Sequence, residues 1–290
     1  MKICLGTVQF GLNYGIEKKK IEISEIDKIL TMALENGISV LDTAQNYGDS
    51  EKIIGKFKKS SNFKIISKIS STSLNDTNNL EQLKRVLKNS LDNLRIPFLD
   101  GLLLHKPEDL KNTDFLNNLN ILKEEGYFTN LGVSIYSPDE ANLALEIENL
   151  KYIQIPYNIL DTRLDKIEFF ERAKKKNKII FARSVFLQGV LLKEQSKYPN
   201  FLEELKIFDN FLEDEIRKLN CSKLSFLLNF VKKNKKIDYI IVGIESLENL
   251  EEIIEAYNDT KLQDYNYSRL RDKFTNIPEK ILNPSLWKEK

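Results

Sequence analysis

Eight short runs rich in Ile, Val, Leu, Phe and Tyr recur along the chain, at residues 3–8, 39–42, 63–68, 99–105, 131–134, 152–155, 179–183 and 239–242. Strands buried on both faces have this composition, because neither face needs polar side chains. Between them lie longer stretches with apolar residues at helical spacing, at 24–36, 50–57, 81–94, 113–125, 137–150, 168–175, 202–219, 222–231 and 247–257. Gly37 and Gly126 close two of these, and Ser137 followed by Pro138 opens another. Strand–helix alternation repeated eight times predicts a parallel α/β fold, and eight units predict a closed (β/α)8 barrel. The 290 residues suit one such barrel. No Pro/Gly/Ser-rich linker divides them, so 1–290 reads as a single domain. Residues 260–290 lack periodicity and read as a C-terminal tail packed on the barrel, over its mouth or beneath it.

Composition removes several classes of function. With 44 basic and 43 acidic side chains, the chain has no surplus charge for gripping nucleic acid or an anionic membrane. No run approaches the roughly 18 apolar residues of a membrane span, and no targeting segment is visible, so a soluble cytoplasmic protein is expected. Cys4 and Cys221 stand far apart, which excludes a disulfide framework and a cysteine-rich zinc site; one histidine excludes a multi-histidine metal centre. Lysine clusters at 18–20, 174–176 and 232–236 read as solvated helix ends and loops. Oligomeric state is not legible.

The informative residues close the strands. Asp42, Lys68, His105, Ser134, Gln154, Arg183 and Gly243 each stand at or near the C-terminal end of an apolar run. In a parallel barrel those ends share one rim, where active sites are built. Singly, each has an ordinary structural use as a turn former, helix cap or solvated strand end. Together on one rim, Asp42 and Lys68 would have to pair. With Tyr47 they offer the chemistry of carbonyl reduction. A tyrosine is a sluggish acid near neutrality, and a neighbouring ammonium lowers its pKa by stabilising the phenolate. Lys68 can be that ammonium, Asp42 can hold it, His105 can polarise the carbonyl oxygen, and Tyr47 can deliver the proton.

The segment Asp42-Thr43-Ala44-Gln45-Asn46-Tyr47-Gly48-Asp49-Ser50-Glu51 resembles the signature of the aldo-keto reductases, with Gly55 in the helix that follows. Ile65-Ile66-Ser67-Lys68 resembles that family's lysine strand, and Asp100-Gly101-Leu102-Leu103-Leu104-His105-Lys106-Pro107 its histidine strand. The resemblance runs from Leu5-Gly6-Thr7 to the helix after Gly243. It implies a catalytic set of Asp42, Tyr47, Lys68 and His105. A histidine in the fourth place is similar to the ordinary reductases, not to the steroid double-bond reductases, which carry Glu there. It further implies a nicotinamide cofactor, NADP with NAD as the alternative, and a small-molecule carbonyl substrate. The implied cofactor residues are Gly6, Thr7, Asp42, Ser134, Gln154, Arg183, Ser184, Phe186, Gln188, Gly243, Ser246 and Asn249, with no metal. Arg183 stands where the family often stacks a tyrosine on the nicotinamide.

Two departures matter. The family usually places Lys or Arg after its last strand to meet the 2′-phosphate of NADP, whereas 243–252 carries Glu245 and Glu248 and no cation. Ser246, Asn249 and the helix N-terminus remain as candidate phosphate contacts. The chain also starts at its first strand, without the hairpin that usually plugs the barrel floor, so the tail or another segment is expected to cover that end. Two rival readings stay open: a catalytically weak nucleotide-binding sensor or accessory subunit on the same fold, and a barrel aldolase using Lys68 as a Schiff-base nucleophile.

Overall fold

The apolar runs form β1 (Lys2–Gly6), β2 (Val40–Asp42), β3 (Lys64–Ile69), β4 (Leu99–Leu104), β5 (Phe128–Ser134), β6 (Leu150–Pro156), β7 (Ile179–Arg183) and β8 (Tyr239–Gly243). They close in chain order into one parallel barrel, β8 pairing with β1 from Tyr239↔Lys2 to Gly243↔Gly6. The computed structural model describes residues 1–15, 20–73, 79–274 and 277–287. Lys18 and Lys19 of the first lysine cluster, and 74–78 of the loop after β3, lie outside those residues.

Around the barrel run α1 (Val8–Gly11), α2 (Ile23–Glu35), α3 (Ser50–Lys56), α4 (Leu80–Leu94), α5 (Thr113–Glu124) and α6 (Pro138–Glu146). They are followed by α7 (Phe169–Lys175), α8 (Leu205–Leu219), α9 (Lys223–Lys232), α10 (Leu247–Asn258), α11 (Ser268–Lys273) and α12 (Glu279–Leu282). Each long helix turns its apolar stripe inward; on α4 it is Leu83, Leu87, Leu91 and Leu94, all buried. Val8, read as strand, instead starts α1. The helix read over 137–150 stops at Glu146, because Leu150 is the first residue of β6. No helix among the described residues is long and apolar enough to cross a membrane.

Alternation along the strands places the site. A buried cluster inside the barrel contains Cys4, Val40, Ile66, Leu103, Phe181 and Ile241, with Tyr152 packed on it. Two residues further along each strand, on the same face, come Gly6, Asp42, Lys68, His105, Arg183, Gly243 and Gln154. The polar ring therefore sits one layer above an apolar plug.

The floor is closed from within, not by the tail. Tyr152 packs on Phe181 with ring centroids 5.2 Å apart, and Phe181 stacks on Tyr239 at 4.6 Å. Neighbouring strands make room: a Cβ on Gly101 would lie 2.8 Å from the Tyr152 ring, and one on Gly132 would lie 2.5 Å from the Tyr152 carbonyl oxygen. The tail folds into α11 and α12. Tyr267 Oη donates to the Phe226 carbonyl of α9 at 3.0 Å. Further on, Ile281 and Leu282 are buried, and Pro284 and Ser285 reach the mouth.

Candidate active site

Lys68 is buried at the top of β3, and the ammonium has three recorded acceptors. It donates to Asp42 Oδ2 at 2.6 Å, to the Thr43 carbonyl at 2.9 Å and to Tyr47 Oη at 3.4 Å. A lysine has three N–H donors, so all are matched. The other carboxylate oxygen, Asp42 Oδ1, accepts from Gln154 Nε2 at 2.8 Å. A carboxylate can only accept, which fixes the Gln154 amide with its oxygen away from Asp42. That oxygen, Oε1, accepts from Ser134 Oγ at 3.1 Å, and Ser134 Oγ in turn accepts from Arg183 Nε at 3.1 Å. One continuous chain thus runs Arg183–Ser134–Gln154–Asp42–Lys68–Tyr47, drawing on β7, β5, β6, β2 and β3 and the loop after β2.

The electrostatics follow from this burial. Burial alone would pull the Lys68 pKa down; the Asp42 carboxylate and Tyr47 overturn that and hold it above the ordinary lysine value. Tyr47 ends above the ordinary tyrosine value, because burial outweighs the opposing pull of Lys68. The Lys68 effect has the expected sign, but the net direction is the reverse of the lowering read from sequence. Tyr47 therefore holds its proton firmly at neutral pH. His105 is lowered to about 3 by burial first, then by the Lys68, Arg183 and Lys106 cations. Its imidazole is neutral, and its ring meets that of Tyr47 edge-on, with centroids 5.9 Å apart.

A cleft of about 570 Å³ opens over these groups. Asp42, Tyr47, Lys68 and His105 line it, together with Gly6, Thr7, Ser134, Gln154, Arg183, Ser184, Phe186, Gln188, Gly243 and Asn249. Ser246 is the exception. It caps α10, its Oγ accepting from Asn249 N–H at 3.0 Å, and it does not line the cleft. The Thr7 hydroxyl is engaged with the Asp42 carbonyl at 3.0 Å. Arg183 lies over the Tyr136 ring at 4.2 Å and donates to the Ile135 carbonyl at 2.8 Å. Sequence reading missed Tyr14, Gly15, Tyr136, Lys193, Glu252 and the Pro284–Ser285 pair, all of which line the cleft. Of these, only Gly15 carried a local signal, as a glycine just beyond the first strand.

The loop after β7 is unusual in its backbone. Ser184, Leu187 and Gln188 all have positive φ, at 56°, 49° and 54°, and Gly189 follows at 88°. Each non-glycine residue in that region costs roughly 1–2 kcal/mol, and such strain gathers at ligand clamps. Asn158 Nδ2 braces the loop by donating to the Ser184 carbonyl at 2.9 Å. Gln188 Nε2 ties it to the loop after β1 through Tyr14 Oη at 3.0 Å.

A parallel eight-stranded barrel with a buried Lys–Asp pair, a tyrosine and a histidine at its C-terminal rim places this chain among (β/α)8 barrels with a polar mouth. The model of the Aldo/keto reductase family matches residues 2–274, and the chain belongs to that family of oxidoreductases. It is 27% identical over 217 residues to aldo-keto reductase str7 of Strobilurus tenacellus, covering 72% of this chain and 63% of that one. It is also 27% identical over 175 residues to oxidoreductase sirO of Leptosphaeria maculans, covering 56% and 53%. The chain thus spans between half and two thirds of the length of the curated relatives it matches. The fold is similar to that of aldo-keto reductase AKR11C1 from Bacillus halodurans in its holo form. That likeness has a TM-score of 0.75 and 20% identity, covering 95% of this chain and 92% of the other.

Proposed function

We propose that this chain is a nicotinamide-dependent reductase of aldehydes or ketones, with Tyr47 as general acid. The carrying observation is how the Lys68 hydrogen bonds are shared out. Lys68 donates to a lone pair of Tyr47 Oη. The Tyr47 O–H is thereby left to point into the cleft, toward a carbonyl oxygen. Reduced nicotinamide dinucleotide, when bound, supplies the hydride. Tyr47 gives its proton to the carbonyl oxygen, and the phenolate left behind lies against the Lys68 ammonium, which Asp42 holds in place. Neutral His105 has one N–H to donate and no imidazolium proton to give up, so it orients and polarises the carbonyl without competing as the acid.

The donor set suits such a cofactor. Gln154 keeps one amide hydrogen and Ser134–Gln154 keep acceptor capacity beyond the relay, which matches a carboxamide. The strained loop of 184–189 and the side-chain-free Gly6 and Gly243 let backbone approach a long ligand. We read 1–290 as one domain on the same grounds, because tail residues Leu270, Phe274, Ile281 and Leu282 join the main apolar core.

The decisive measurement follows loss of reduced-nicotinamide absorbance over a panel of aldehydes and ketones, with the Tyr47→Phe variant alongside. The variant is expected to lose about 10²–10⁴-fold in kcat while binding the cofactor as tightly as the parent. Undiminished turnover in Tyr47→Phe would overturn the assignment. Cofactor binding with no single-turnover oxidation by a reactive aldehyde would favour the sensor reading instead.

A further inference from the structure

The glycine turns after β1 and β7 meet at one carboxylate. A Cβ added to Gly15 would stand 3.8 Å from Glu245 Oε1, and one added to Gly189 would stand 3.9 Å from the same atom. Glu245 follows β8 and lines the cleft with Asn249 and Glu252 of α10. A helix N-terminus ordinarily offers backbone donors to a phosphate. Here two of those donors are already taken. Leu247 N–H donates to Glu25 Oε1 of α2 at 2.7 Å, and Asn249 N–H donates to Ser246 Oγ at 3.0 Å. Asn249 Oδ1 accepts from Glu245 N–H at 3.3 Å, which holds the backbone of Glu245 in place. Ser246 Oγ, Asn249 Oδ1 and the Leu247 and Asn249 N–H groups are therefore engaged within the protein.

Among the described residues, this end of the cleft carries the Glu245 and Glu252 carboxylates. A phosphomonoester, with about −1.5 to −2 charge near neutrality, meets carboxylate repulsion there. A ribose diol instead offers two O–H donors, which a carboxylate can accept together. From this contrast we infer that Glu245 selects an unphosphorylated ribose, so that the cofactor is NADH and not the NADPH implied by the family resemblance. The inference rests on the reductase reading given above. Among the described residues that line the cleft, the cations are Lys68 and Arg183 of the barrel rim and Lys193 of the loop after β7.

Binding calorimetry with the full chain, titrated with NADH and with NADPH, tests this without turnover. NADH is expected to bind at least about 30-fold tighter, equivalent to ~2 kcal/mol. Glu245→Arg is expected to reverse the preference, and Glu245→Gln, which keeps the shape and removes the charge, to narrow it by about tenfold. Parent protein that binds NADPH as tightly as NADH overturns the inference and leaves the reductase reading standing. So does a preference unmoved in both Glu245 variants. Binding of neither dinucleotide overturns the reductase reading, and the inference falls with it.

Discussion

At the residue scale, the candidate site depends on one buried ion pair whose every polar atom has work assigned. Lys68 and Asp42 have side chains 1% and 6% exposed. Stripping one partner from such a pair costs about 3–5 kcal/mol, because the other is left charged and dry. The neutral His105 is the most direct check on the electrostatics, since it is the sole histidine and its imidazole resonances need no assignment. With a pKa of about 3, its proton NMR signals are expected to stay unmoved between pH 5 and 8. A midpoint near the ordinary 6.5 would show that neither burial nor the Lys68 and Arg183 charges disfavour its cation. Residue types at strand ends were legible in the sequence because an apolar run interrupted by Asp, Lys or His has few explanations. Their hydrogen-bond order was not, since it depends on which lone pairs face each other across five strands. Nor could sequence show that Ser246 is spent on a helix cap, or that burial would outweigh Lys68 at Tyr47.

At the element scale, α6 shows both what local pattern reveals and where it stops. Ser137 Oγ accepts from Glu140 N–H at 3.3 Å, while Glu140 Oε2 accepts from Ser137 N–H at 2.9 Å. That capping box was visible as Ser-Pro-Asp-Glu. Ser137→Ala is expected to cost about 1 kcal/mol in urea unfolding, with turnover unchanged. The end of the helix was not visible, because Ile147 and Leu150 prolong the apolar spacing although Leu150 already belongs to β6. Strands were placed to within a few residues for a related reason. Their β-branched runs are distinct, but the point where pairing begins depends on a partner strand far away in sequence.

At the scale of the whole molecule, aromatic rings fill the barrel floor, and the tail reaches its mouth at Pro284 and Ser285. Sequence reading put the tail on the barrel without saying where, because its contacts are tertiary. Tyr265 and Tyr267 pack on Phe226 of α9, not along any helical stripe of their own. Global stability should also register the half-buried histidine. Its pKa is lower folded than unfolded, so its contribution is complete above about 6.5 and is lost as pH falls from there to about 3. One proton sets the slope at no more than about 1.4 kcal/mol per pH unit. Urea midpoints measured from pH 7 down to 4.5 are expected to fall, and to fall less steeply in His105→Asn. Equal slopes in the two proteins would remove His105 from the acid response.

The relay from Arg183 to Tyr47 has a consequence for how the protein comes into being. Its links are contributed out of chain order, β7 handing to β5, then β6, then back to β2 and β3. A nascent chain that has emerged as far as β6 lacks the first link, and a barrel with any one of these strands detached lacks continuity. On the proposed reading, the tyrosine is armed only once five of the eight strands, β7 among them, have come together, and activity would report that stage of assembly.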